Sequence, residues 1–281
     1  MRTRMLALLT CAATLTPALA PAASASAATA PDLSGAAVYA GKQVSRYTGG
    51  RWSTLARSPL VAVSPDGAKT AWVTSGGWLR VRQGGETTTL VSGLPGATAC
   101  HTPVWSADSA QVAYVTGDTI TAVRADATAA PRPLGRSPGV CHLAWSASGR
   151  YVAGHTATAL HRLDVKTGKT LRLALPVAHV QSLSPDGREA IVALPRDRDA
   201  SGGRPARFKP VVVNLVTGKR STPDVKGRLV GAHHLADGRT VVRVAGAAHN
   251  TLVVLDERGA EVQRVAEPAR AKGQALLQVL P

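Results

Sequence analysis

The sequence predicts an all-β fold, a six-bladed β-propeller closed by the C-terminal strand joining the N-terminal blade. Three observations carry this. Short apolar strands alternate with tight-turn tetrapeptides, most plainly Ser64-Pro65-Asp66-Gly67 and Ser184-Pro185-Asp186-Gly187. Such turns recur near positions 66, 108, 148, 186 and 237, with a longer last interval that contains an insertion at residues 195–210. Finally, five first turns face six later hairpins, and residues 275–280 (ALLQVL) form an apolar strand with no partner in their own repeat. Four short antiparallel strands per repeat define a propeller blade.

Residues 60–91 show the unit in full. The strand LVAV runs into the Ser64–Gly67 turn and returns as a second strand, 70–74. A loop of small residues at 75–77 leads to a third strand, 78–82, which turns at Gly84-Gly85 into a fourth, 87–91. Proline presets φ and Asp-Gly accepts the tight reversal, so backbone chemistry specifies each turn.

Residues 36–56 begin in mid-blade, with three strands and a hairpin at Thr48-Gly49-Gly50. The third repeat turns at Ser106-Ala107-Asp108-Ser109 and again near Ala125-Asp126. The fourth turns at Ser146-Ala147-Ser148-Gly149 and Lys166-Thr167-Gly168. The fifth uses Ser184–Gly187 and Val216-Thr217-Gly218, and the sixth Ala236-Asp237-Gly238 and Glu257-Arg258-Gly259. The blade begun at the N-terminus thus lacks its innermost strand, and the C-terminal strand supplies it. Closure of this kind leaves no open sheet edge.

The N-terminus reads as a secretory signal over residues 1–27. Arg2 and Arg4 precede an apolar run at 5–15, and Ala25-Ser26-Ala27 offers a cleavage site. Thr10 before Cys11 argues against lipidation, and the apolar run is too short to span a membrane. Residues 28–35 form a short linker, and 36–281 form the propeller. The protein is therefore expected to be secreted or extracytoplasmic. Export leaves Cys100 and Cys141 in an oxidising compartment. Each opens a Cys-His pair ahead of an apolar strand ending Trp-Ser (ACHTPVWS and VCHLAWS), so they hold matching slots in neighbouring repeats. A disulfide between them is favoured over a thiolate–imidazole metal site, because exported free thiols rarely persist.

The formal charge is +16 at pH 7, with arginine prominent but no long basic run or basic helix. The balance allows an anionic partner. Nucleic acid is not expected for an exported chain without a binding motif.

The repeated Ser-Pro-Asp-Gly turns and their Trp-Ser variants at 105–106 and 145–146 resemble the WD40-like (PD40) repeats of TolB-type six-bladed propellers. The resemblance covers nearly all of the chain after the signal, and what it implies is architecture. No α/β domain like the one preceding the propeller in TolB is seen, so the Tol-Pal role is not carried over. Nor is there a hydrolase domain like that of prolyl-oligopeptidase-like proteins, so peptidase activity is not carried over.

If strand one of each blade descends the channel, the loop before it and the loop after strand two share an upper face. That face should hold His101, His142, His179 and His233, with His155 and His249 in the loops after strand two. The insertion should add Arg196, Arg198, Arg204 and Arg207 as a solvated, basic loop. His101, His142, His179 and the four arginines are the candidate ligand-binding residues. Half-buried structural histidines, a protonatable rim and a transition-metal site are the three readings open for the imidazoles. No local His pair at ligand spacing is present, and neither a metal nor a cofactor is expected. Gly135-Arg136-Ser137-Pro138-Gly139 matches G-x-S-x-G, but in a link between blades where no strand-to-helix elbow can form. Trp105 and Trp145 are expected to pack between blades. The function expected is a monomeric, non-enzymatic propeller binding a protein or anionic cell-envelope ligand through its upper face. The alternative is a channel-mouth hydrolase or lactonase, with or without metal assistance.

Overall fold

The computed structural model describes residues 32–195 and 204–280. The proposed signal segment, Arg196 and Arg198 lie outside the described residues. Residues from Asp32 onward form one compact unit. Its strands make six four-stranded antiparallel sheets. Five sheets pair strands in chain order, starting from inner strands Ala62–Val63, Val104–Trp105, Cys141–Trp145, His179–Leu183 and Leu229–His234.

The sixth sheet takes its inner strand, Ala275–Val279, from the C-terminus and the other three, Ala37–Ala40, Val44–Thr48 and Arg51–Ala56, from the N-terminus. Val38 faces Gln278 and Ala40 faces Ala275 across this junction. The ring therefore closes as the turn count required. We number this blade 1 and the others 2 to 6 in chain order.

The turns explain why strands this short hold their register. The Ser64 hydroxyl donates to Asp66 Oδ1 at 2.5 Å and accepts the Lys69 amide at 2.8 Å, while Asp66 Oδ1 also accepts the Ala68 amide at 2.9 Å. Ser106 with Asp108 and Ser184 with Asp186 repeat the arrangement. Gly67 and Gly187 occupy the left-handed region that the reversal needs, and Ser109 occupies it in blade 3 without glycine's freedom. Lys69 Nζ donates to the Ser109 carbonyl at 2.8 Å, so one turn braces the next blade's turn.

The core is divided. Six buried apolar clusters sit one between each pair of neighbouring blades. Trp105 belongs to the cluster between blades 2 and 3 and donates its indole N–H to the Ala62 carbonyl at 3.2 Å. Trp145 packs between blades 3 and 4 but bonds Gly149 in its own blade. Small Ala and Val side chains let the sheets approach closely, consistent with an aromatic content of only 4%.

Candidate functional site

The Cys100–Cys141 disulfide is present, with Cα atoms 4.6 Å apart. It joins a turn ahead of blade 3's inner strand to the first residue of blade 4's. His142, next to it, is one of three non-glycine residues with positive φ among the described residues, at 50°. The pairing between blade 4's first two strands shifts register between Cys141 and Ala144. A bulge of this kind redirects a side chain, here toward blade 5.

The result is a cluster of three imidazoles. His142 Nδ1 lies 3.2 Å from His155 Nε2 and 3.1 Å from His179 Nδ1. His155 Nδ1 lies 3.2 Å from the Thr156 carbonyl, which fixes a proton on that nitrogen and leaves Nε2 as acceptor. Burial pushes His142 down to about 4, with His155 adding to the effect. Burial, followed by His142 and Arg204, holds His179 well below the usual imidazole range. All three are therefore neutral near pH 7. Neutral imidazoles are the form that ligates metals, yet among the described residues no group of three His, Cys, Asp or Glu side chains has the geometry to hold a metal ion.

Arg204 stands against this cluster. It leaves the insertion, donates Nη1 to the Val61 carbonyl at 2.9 Å, and is pushed down to about 10 by burial. Together with His179 it lines two cavities: a central channel of about 620 Å³ and a smaller upper one of about 210 Å³. Arg207 donates to the Lys272 carbonyl at 3.3 Å. The described part of the insertion is thus packed into the ring and not solvated as its composition suggested. Phe208 accounts for this, burying its ring between blades 5 and 6. Below it, buried Arg243 bonds Glu267 at 2.8 Å and donates to the carbonyls of Ala206, Ala271 and Gln274. Arg243 and Glu267 were not singled out from sequence, although a charge among valines (TVVRV) is a signal for a buried pair.

The remaining candidates do not join the cluster. His101 folds onto its own loop, its Nδ1 3.0 Å from the Thr98 hydroxyl and 3.3 Å from the Gly96 carbonyl. His249 Nδ1 lies 3.0 Å from the Asn250 carbonyl. His233 lines the central channel, with its Nδ1 buried and lacking a hydrogen-bond partner. Gly135 and Arg136 end the outer strand of blade 3, Arg132–Arg136. Ser137 is buried against the Thr170 hydroxyl at 3.2 Å, so the G-x-S-x-G match forms no elbow.

No protein-family model and no curated protein matches the chain. The fold is similar to solved TolB-like propellers. TolB from Acinetobacter baumannii is 14% identical with a TM-score of 0.50, covering 86% of this chain and 66% of its own. The chain thus spans slightly less than two thirds of that protein. A putative TolB from Agrobacterium tumefaciens is also 14% identical with a TM-score of 0.50, covering 81% of this chain and 92% of its own. A chain of a nidogen/laminin complex is 10% identical with a TM-score of 0.52, covering 88% of this chain and 99% of its own. At these identities the likeness defines a class, the six-bladed β-propeller, and nothing narrower. No helix among the described residues is long and apolar enough to cross a membrane.

Proposed function

We propose that this chain is an extracytoplasmic, non-enzymatic propeller that binds a protein or cell-envelope ligand through its upper face. One observation carries the reading: the upper loops are fastened before any ligand arrives. The disulfide ties blades 3 and 4, Arg204 bonds blade 2 across the ring, and Arg243 holds the insertion from below. Rigid loops around a cavity lose little entropy on binding. The thiols beside the imidazoles are joined to each other, which supports binding over cysteine-based catalysis. The nidogen chain that resembles this fold was solved in complex with laminin, which fits a protein-binding reading.

Since Arg204 and Arg207 turn inward, the electrostatic part of this proposal rests on Arg196 and Arg198. The double variant Arg196→Ser, Arg198→Ser should be retained several-fold less on isolated envelopes of the producing cell, with weaker salt dependence. Retention equal to wild type at low and high salt would remove the loop from the reading. The metal-assisted hydrolase is a second reading, favoured by the convergence of His142, His155 and His179 nitrogens. Arg204 opposes it, because its charge would repel a bound cation. Elemental analysis of protein purified without added metal decides between them: a stoichiometric metal lost in His142→Ala would favour the hydrolase.

A further inference from the structure

The central channel carries a polarity that the upper-face reading does not use. At its lower end it is lined by Asp66, Asp108 and Asp237, all exposed, and at its upper end by His179 and Arg204. Between them Val63, Trp105, Val180 and Leu277 make apolar walls, interrupted by the amide and hydroxyl groups of Gln181, Ser182 and Gln278. A space of about 620 Å³ with this lining suits one organic ligand.

The inner end is the specific part. Arg204 makes one hydrogen bond, through Nη1 to Val61, among the described residues. No carboxylate pairs with it there. Among the described residues its Nε and Nη2 atoms have no bonded partner and are not sealed off. Those two N–H groups are parallel, and this is the edge of a guanidinium that receives both oxygens of a carboxylate. The imidazoles beside it supply no negative charge. A deep cation without a counter-ion is costly to the fold unless an anion completes it.

We infer that the channel takes the free C-terminus of an extended apolar peptide, its carboxylate on the Nε/Nη2 edge of Arg204 and its chain running toward the acidic lower rim. The polar groups in the walls suit peptide amides better than a bare hydrocarbon chain. Asp237 is paired with Arg239, so Asp66 and Asp108 are the rim carboxylates that suit a trailing ammonium or amide N–H. The inner strand His179–Leu183 has five residues, so the walls extend for roughly 16 Å at about 3.3 Å per residue, the reach of a peptide of similar length. The channel site shares Arg204 with the upper-face reading but uses none of the loop charge that reading tests.

The test uses the purified protein with the tetrapeptide Ala-Val-Leu-Val, with a free or an amidated C-terminus. Binding is followed by calorimetry and by fluorescence, since Trp105 and Trp145 line the channel. The free acid should bind at least tenfold more tightly than the amide. Arg204→Gln, which can still donate to Val61, should remove that preference, and Arg204→Lys should leave an intermediate one. Thermal melts establish that both variants fold; should Arg204→Gln fail, the acid-against-amide comparison on wild type decides alone. Equal binding of acid and amide, absence of saturable binding, or hexanoate binding as tightly as the tetrapeptide would each overturn the inference. Envelope retention needs no peptide, so the two proposals fail independently.

Discussion

Nδ1 of His142 lies 3.1 Å from Nδ1 of His179, 37 positions later in the chain and one blade further round the ring. The same nitrogen is 3.2 Å from His155 Nε2. A ring nitrogen carries either a proton or a lone pair, so His142 serves both neighbours in a single role. Protonating any member would put a cation among buried rings and beside Arg204. The three imidazoles therefore behave as one neutral unit.

Acid should destabilise the protein well above the carboxylate range. Burial pushes His142, His233 and His234 down to about 4, against 6.5 for a free imidazole. Between those values the unfolded chain binds protons that the folded chain refuses. The stabilisation is complete above about pH 6.5 and is lost as pH falls through that window to about 4. Tm should decline steadily from pH 7 to 4.5, and less steeply in His142→Asn. A flat profile in wild type would contradict this.

The backbone at His142 should prefer glycine to alanine. With φ at 50°, a β-carbon costs about 1–2 kcal/mol that glycine escapes. Both substitutions lose the ring contacts, so their difference isolates the backbone. Urea unfolding should find His142→Gly more stable than His142→Ala by about 1 kcal/mol. The reverse order would mean the bulge does not persist.

Replacing both cysteines with serine should lower stability by about 4 kcal/mol, the chain-entropy value for a loop of 41 residues. Denaturant melts of the double serine variant check this. A change below about 1 kcal/mol would show that the unfolded chain is already constrained around blade 3.

Glu267→Ala should cost about 3–5 kcal/mol, because it strands the buried Arg243 guanidinium. Arg243 also holds Ala206, so limited proteolysis should cut near the insertion faster in this variant. Cleavage at the wild-type rate would separate the insertion's position from the ion pair.

The ring and its closure were legible because they rest on local chemistry. Ser-Pro-Asp-Gly folds the same way wherever it occurs, and counting turns against hairpins assigns residues 275–280 to the first blade. The cysteines were legible for a similar reason, since matching slots in adjacent repeats lie side by side. The site was legible only in outline. His101 and His142 share a Cys-His pair, yet only His142 sits on a bulge with positive φ, and no side-chain property of histidine announces that. Arg204 reads as solvated among Arg, Asp and Gly; its inward turn follows from Phe208, whose burial is a tertiary fact. The larger cavity, which runs from Arg204 and His179 to the lower turns, was not legible in the sequence either.

The most direct measurement of the account's centre is a nitrogen-15 NMR titration of the imidazoles with Ala-Val-Leu-Val. His179 and His142 should shift saturably with the free acid, while His249, on an upper loop of blade 6, should stay fixed. The amidated peptide should leave all three unmoved at the same concentration. Identical shifts from acid and amide, or movement of His249 alone, would contradict the assignment of Arg204 as the channel's carboxylate anchor.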